Sequence, residues 1–189
     1  MMDMKNVPES KRRGPFEIDV RKEVYKNKWI SVHEYQVHQD GGEKGLFGIL
    51  TMPNGSAVVT LDDQNRVYLG KEFRFAINHA SYEVPGGAID AGETPLDAAK
   101  RELEEEVGFR AKQWTNLGYI DPYTGIVESK NHMFLAQDLE DVGANTDSWE
   151  RIECIRIPLS EAVDMVLRGE ITHGASCVAL LMTARKLGV

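Results

Sequence analysis

Apolar and polar positions alternate in short runs through the first half of the chain, then switch to a helical period. Glu17–Tyr25 and Lys28–His38 alternate as two strands, the second carrying Trp29, Ile30, Val32, Tyr35 and Val37. Asp40-Gly41-Gly42 marks a turn, and a third strand follows through Leu46–Met52, closed by Pro53-Asn54-Gly55. Ala57–Leu61 is a short apolar run suited to a central strand; Asp62–Asn65 is a turn, and Val67–Phe75 alternates again. Tyr82-Glu83-Val84 leads into a Pro85-Gly86-Gly87 loop. Leu96, Ala99, Leu103 and Val107 then recur at helical spacing. Thr94 is placed to cap that helix, Pro95 suits its first position, Asp97 sits where a capping-box acid would be, and Gly108 can end it.

The second half is shorter in signal. Trp114–Tyr119 and Asn131–Gln137 read as paired strands around Asp121–Lys130, and Asp138–Ser148 as a polar loop. Ile152–Ile157 is a strand, Ser160 caps a helix running to Arg168 with Gly169 as its stop, and Ala175–Leu187 is a final helix. Val178, Leu181, Met182 and Ala184 form its expected sheet-facing stripe. Strands, helix, strands, helix, helix implies an α/β fold with a mixed sheet covered on both faces.

Composition narrows the function. The 189 residues, 42% hydrophobic and 28% charged, suit one domain with a full core and a small appendage. A formal net charge of −8 argues against nucleic acid as partner, because nonspecific binding needs a basic footprint. It does not argue against a single nucleotide, since a bound cation inverts the local field. No apolar run approaches 18 residues and the amino terminus lacks a signal-peptide pattern, so no membrane partner and a cytoplasmic location are expected. Cys154 and Cys177, the only cysteines, read as two buried free thiols. The polar residues 1–15, with Lys11-Arg12-Arg13, read as a flexible tail.

The chemistry gathers on the capped helix. Glu102, Glu105 and Glu106 are three and four residues apart, on or beside one face, where like charges repel by roughly 0.2–0.5 kcal/mol per pair. A divalent cation is the most compact counter-charge. Arg101, one turn before Glu105, can hold that carboxylate, and the glycines ahead of the helix let backbone approach a phosphate or metal closely.

These residues resemble the signature of the Nudix hydrolases, G-x5-E-x7-R-E-U-x-E-E-x-G-U, U being a bulky aliphatic. Gly87, Glu93, Arg101, Glu102, Leu103, Glu105, Glu106 and Gly108 match, and Phe109 puts an aromatic where an aliphatic is usual. Further likeness lies in KEFRF before the signature, LGYIDPYTG and MFLAQDL after it, and PLSEAVDMVLRGEI near the end. The resemblance implies an α/β/α Nudix sandwich over residues 48–189. Residues 16–47 would form the small amino-terminal antiparallel sheet of the ADP-ribose pyrophosphatase branch, which exchanges between subunits of a homodimer and helps build the substrate site.

The same resemblance implies hydrolysis of a nucleoside diphosphate linked to another group, with Mg2+ or Mn2+, two or more ions per site. Glu102 and Glu106 would contact metal, Glu105 would complete the cluster or accept a proton, Arg101 together with Glu83 would orient it, and the Gly86 carbonyl would be a further ligand. The general base would sit on the loop 138–150, with Glu150 or Asp147 nearest the equivalent position and Glu128 on an earlier loop. Trp29 either stacks on the base or fills the dimer core; Arg74 either contacts the diphosphate or base or is a snorkelling surface arginine. ADP-ribose pyrophosphatases usually carry proline sixteen residues past the last signature glycine, where this chain has Thr124. That favours a broader nucleoside diphosphate sugar hydrolase, acting on ADP-ribose, ADP-glucose or GDP-mannose and releasing a nucleoside monophosphate and a sugar phosphate. The alternatives are a strict ADP-ribose pyrophosphatase, a cap or dinucleoside polyphosphate hydrolase, an isopentenyl diphosphate isomerase and a non-catalytic ligand sensor.

Overall fold

In the computed structural model, residues 11–143 and 153–189 are described. Their backbone divides into two compact units, one from residues up to Pro53 with Asp121–Ser129, the other from Asn54–Ile120 with Lys130–Val189.

The first unit is a five-stranded sheet, ordered β1(Arg12–Arg13), β2(Phe16–Lys26), β3(Ser31–Gln39), β4(Lys44–Thr51) and β10(Val127–Glu128). The first four strands pair antiparallel and β10 joins β4 in parallel. Two local expectations change. Arg12 and Arg13, read as tail, pair with Glu17 and Phe16. Lys28–Ile30 is not strand: Asn27 Oδ1 accepts from the backbone N–H of Trp29 and Ile30, and this Asx turn delays β3 to Ser31. Among the described residues no helix is long and apolar enough to cross a membrane.

The second unit holds two sheets and three helices. The four-stranded sheet runs β8(Gly86–Ala88), β5(Gly55–Thr60), β11(Asn131–Asp141), β9(Phe109–Ile120); the three-stranded sheet runs β12(Glu153–Pro158), β6(Arg66–Arg74), β7(His79–Glu83). β5 and β11 pair in parallel, and their unbroken apolar runs are explained by burial on both faces. Ala57, Val59, Met133 and Leu135 face a core closed by α2(Leu159–Leu167) and α3(Gly174–Leu187). Val58, Phe134 and Ala136, one residue out of phase, face Ala99 and Leu103 of α1(Pro95–Val107). Helices therefore cover both faces of the sheet, giving an α/β sandwich.

Helix ends test the local reading. Thr94 caps α1, its Oγ1 accepting from Asp97 N–H, and Gly108 closes it with φ of 73°. Phe109 packs with the α1 cluster and lies tilted against Tyr68, ring centroids 4.9 Å apart, a use of extra volume that leaves the acids untouched. Ser160 does not cap α2; it lies inside the helix, and the position ahead of it is Pro158, which has no side-chain hydroxyl to bond the helix. On α3 the buried stripe is Ala175, Ser176, Ala179, Leu180, Thr183 and Ala184, while Leu181 and Met182 are about two-fifths exposed. Small side chains let this helix lie close on the sheet, so the larger pair is turned outward. Neither cysteine is buried as expected: Cys154 is exposed and Cys177 half-buried, both free.

Candidate active site

Of the Pro85-Gly86-Gly87 stretch read as loop, Gly86 and Gly87 are strand and Pro85 is the bend that enters it. Gly86 and Gly87 pair with Ala57 and Ser56 on β5, and Pro85 carbonyl accepts from Val58 N–H at 2.8 Å. Two separate crowdings require glycine here. A Cβ at Gly86 would collide with the Ser56 carbonyl and lie 2.9 Å from Ala57 Cα; one at Gly87 would collide with Glu102 Oε1 and lie 2.7 Å from its Cδ. The edge strand thus lies directly against the first acid of the helix. Glu106, one turn on, reaches the same strand and accepts from Gly86 N–H at 3.4 Å.

Arg101 organises the acids. Its Nε and Nη2 form a fork on Glu93 at 2.9 and 3.1 Å, Nη1 donates to Glu102 at 2.7 Å and Glu105 at 3.2 Å, and Nη2 also donates to the Ala88 carbonyl at 3.0 Å. Those bonds use all of the guanidinium's five N–H donors, so its position is fully specified. Glu93 and, after the opposing effect of burial, Glu102 and Glu105 hold the Arg101 pKa above its ordinary value. Glu93 in turn is held below the usual carboxylate range, first by Arg101 and then by Asp90 N–H. Sequence reading named Glu93 only as a signature match; the structure makes it the anchor that sets Arg101.

The donors at this place are oxygens only. Glu102 and Glu106, one turn apart and both against the Gly86–Gly87 backbone, suit a hard divalent cation. Among the described residues no three His, Cys, Asp or Glu side chains converge as a ready-formed metal centre. Glu105 lies on Arg101.

Beside these acids a small cleft is lined by Gly70, Glu72, Arg74, Glu83, Gly86 and Glu106. Arg74 forks onto Glu83 at 3.0 and 2.8 Å and reaches Glu72 at 2.9 Å. Glu83, grouped with Arg101 in the sequence reading, is held by Arg74 instead. Burial acts to raise the Glu83 pKa, but Arg74 and nearby His173 outweigh it and leave the carboxyl below its ordinary value. Cys154 pairs with Gly70 of the cleft lining, and although the residue is exposed overall, partial desolvation of its sulfur and then the Glu106 charge push the thiol pKa up. No sequence signal marks Cys154 or His173 as neighbours of the signature, because sheet pairing and helix docking bring them in.

The remaining sequence-derived candidates fall in the first unit or outside the described residues. Trp29 is 62% exposed in the first unit, with Lys28 Nζ 4.4 Å from its ring centroid. Thr124, with Arg13, Phe16, Tyr35 and Phe47, lines an apolar hollow of that unit. Glu128, also there, accepts from Thr51 at 3.1 Å and Arg13 at 3.5 Å. Asp147 and Glu150 lie outside the described residues.

Comparison with known proteins follows the same lines. The family model for the NUDIX domain matches residues 52–175. The chain is 30% identical over 158 residues to CMP-5'-(N-acetyl-N-hydroxy-3-aminopropyl)phosphonate hydrolase of Streptomyces rubellomurinus, covering 84% of this chain and 77% of that one. It is 26% identical to ADP-ribose pyrophosphatase of Bacillus subtilis, covering 85% and 88%. A crystal structure of an ADP compounds hydrolase superposes with a TM-score of 0.81 at 24% identity, over 95% of this chain and 97% of that one, a likeness of fold.

Proposed function

The chain is a Nudix hydrolase belonging to the NUDIX domain family, and from that premise we propose that it cleaves the diphosphate linkage of nucleoside diphosphate sugars and related nucleotides. The observation that carries this reading is the Arg101 guanidinium, which ties Glu93, Glu102 and Glu105 to the Ala88 carbonyl beside two glycines. Relatives that act on ADP-ribose and on a CMP-phosphonate support a nucleotide substrate whose second group varies. Thr124, standing where the ADP-ribose branch carries proline, favours the same breadth.

Glu102 and Glu106, with the Gly86 carbonyl, would hold Mg2+ or Mn2+, and Glu105 would complete the set or take a proton. Such a cation neutralises phosphate oxygens and lowers the pKa of a bound water. Arg101 keeps Glu102 and Glu105 oriented, so the acids meet substrate without first paying ordering entropy. Arg74 supplies a guanidinium to the diphosphate, a planar partner suited to phosphate oxygens. Glu150 removes the proton of the attacking water, with Asp147 as the competing assignment. Attack within the diphosphate releases a nucleoside monophosphate and a sugar phosphate. The exposed Val24, Tyr25, Trp29, Leu46 and Met52 of the first unit support a homodimer built through that sheet; light scattering on the purified chain reads it directly.

The test is phosphatase-coupled turnover of ADP-ribose, ADP-glucose, GDP-mannose, UDP-glucose and a capped dinucleotide with Mg2+, beside chelator-treated enzyme and Glu106→Gln. Turnover of several sugars, abolished by chelator and variant, is expected. Turnover of the capped dinucleotide alone would overturn the assignment. Rate profiles against pH for Glu150→Gln and Asp147→Asn separate the two bases.

A further inference from the structure

Arg74 is not presented bare to the cleft. Its one positive charge faces two carboxylates, Glu83 through a fork and Glu72 at 2.9 Å, with Glu106 lining the same cleft. An anionic ligand approaching Arg74 therefore competes with the Glu83 and Glu72 carboxylates for its guanidinium. Behind Glu83 stands the start of α3, more than 80 residues away in sequence. His173 Nδ1 lies 2.8 Å from Ser176 Oγ and 3.5 Å from Glu83 Oε2. Ser176 is wholly buried, and its Oγ accepts from Val84 N–H at 3.0 Å. The first turn of α3 thus grips both the Glu83 side chain and the backbone just before Pro85-Gly86.

We propose that His173 is a positioning residue: anchored on Ser176, it fixes Glu83, and through Glu83 it sets how firmly Arg74 is withheld from an anionic ligand. This rests on the diphosphate reading of the cleft. With His173 neutral, Glu83 is committed to Arg74 and the fork is closed. With His173 protonated, Glu83 gains a second cationic partner, its hold on Arg74 loosens, and the guanidinium is released toward the ligand. The charged groups about the imidazole are Glu83 on β7 and Arg74 on β6; Glu72 acts on it through Arg74, and Ser81 donates to Glu83. Burial first, and Arg74 also, lower the His173 pKa below 6.5, with Glu83 opposing. The change therefore falls in mildly acidic solution.

The experiment has two arms on the full chain. In the first, KM and kcat for ADP-ribose, whose diphosphate keeps its charge across this range, are measured with saturating Mg2+ from pH 5 to 8. Wild type should show KM falling about fivefold as His173 protonates. His173→Gln, which stays neutral, should lose that fall while its kcat profile keeps the wild-type shape. Superimposable KM profiles in two variants of equal melting temperature would overturn the proposal. In the second arm, 13C-histidine NMR follows the His173 titration in wild type and Glu83→Gln, with no substrate present. Removing the carboxylate should lower the His173 midpoint further, and an unmoved midpoint would overturn the coupling. Absence of ADP-ribose turnover in wild type would sink the substrate reading, leaving the NMR arm to decide the His173–Glu83 coupling.

Discussion

Two adjacent glycines should fail in different ways when given a methyl group. At Gly87 the new Cβ meets Glu102 Oε1, with Cδ at 2.7 Å and Oε2 at 3.1 Å. The obstacle is the end of a flexible side chain, so the carboxylate yields by about 1 Å rather than the backbone. That movement breaks the 2.7 Å bond from Arg101. A charge-assisted bond is worth about 1.5–3 kcal/mol when lost outright, and a re-seated, solvent-touching Glu102 recovers part of it, so Gly87→Ala should cost about 1 kcal/mol. At Gly86 the obstacles are the Ser56 carbonyl and Ala57 Cα at 2.9 Å, both main chain. β8 must part from β5, an overpacking cost of about 3 kcal/mol. Neither glycine has positive φ, so backbone strain does not confuse the comparison. Calorimetry should show a melting temperature lowered by about 3 °C in Gly87→Ala and about 10 °C in Gly86→Ala. Mg2+ titration of turnover should nevertheless show Gly87→Ala weakened by about 10–100-fold, the range for a misoriented ligand. A Gly87→Ala enzyme with wild-type Mg2+ dependence would refute the place given to Glu102.

Other outcomes follow from the same geometry. Arg101→Lys keeps the charge but cannot form the fork on Glu93 or reach three further acceptors, so kcat should fall by about 100-fold with little change in melting temperature; a loss under threefold would count against Arg101 as organiser. Thr94→Ala removes the Oγ1 that accepts from Asp97 N–H and should cost about 1 kcal/mol in urea unfolding, with activity retained below the transition. His33, in the first unit, is 6% exposed; Arg21, a pure donor, bonds its Nε2, leaving Nδ1–H buried without a partner among the described residues. Burial, then Arg21, lower its pKa below 6.5, so the folded state binds fewer protons than the unfolded state just under that value. Its contribution to stability is therefore full above pH 6.5 and lost as pH falls through the folded pKa. His33→Phe should flatten that slope in denaturant midpoints measured from pH 5 to 8, and an unchanged slope would assign the effect elsewhere.

How much was legible in advance depended on the range of the interaction. Thr94, Pro95, Asp97 and Gly108 act within one turn of their own backbone, so local sequence determined both ends of α1. The spacing from Gly87 to Phe109 likewise determined that one arginine and three acids share a helix face, because 3.6 residues per turn leaves no other arrangement. The continuous run Ala57–Leu61 already marked a strand buried on both sides. Tertiary structure decided the rest. Which stripe of α3 faces inward depended on how closely the helix lies to the sheet, and small Ala and Ser won over Leu181 and Met182. That Glu83 pairs with Arg74 came from the antiparallel pairing of β6 with β7, which puts both residues in one sheet and lets the long Arg74 side chain reach back along it to the carboxylate. His173 reached Glu83 only because α3 docks there. Bonds across such separations leave no periodic trace in sequence, since their loop-closure cost is met collectively by the packed core.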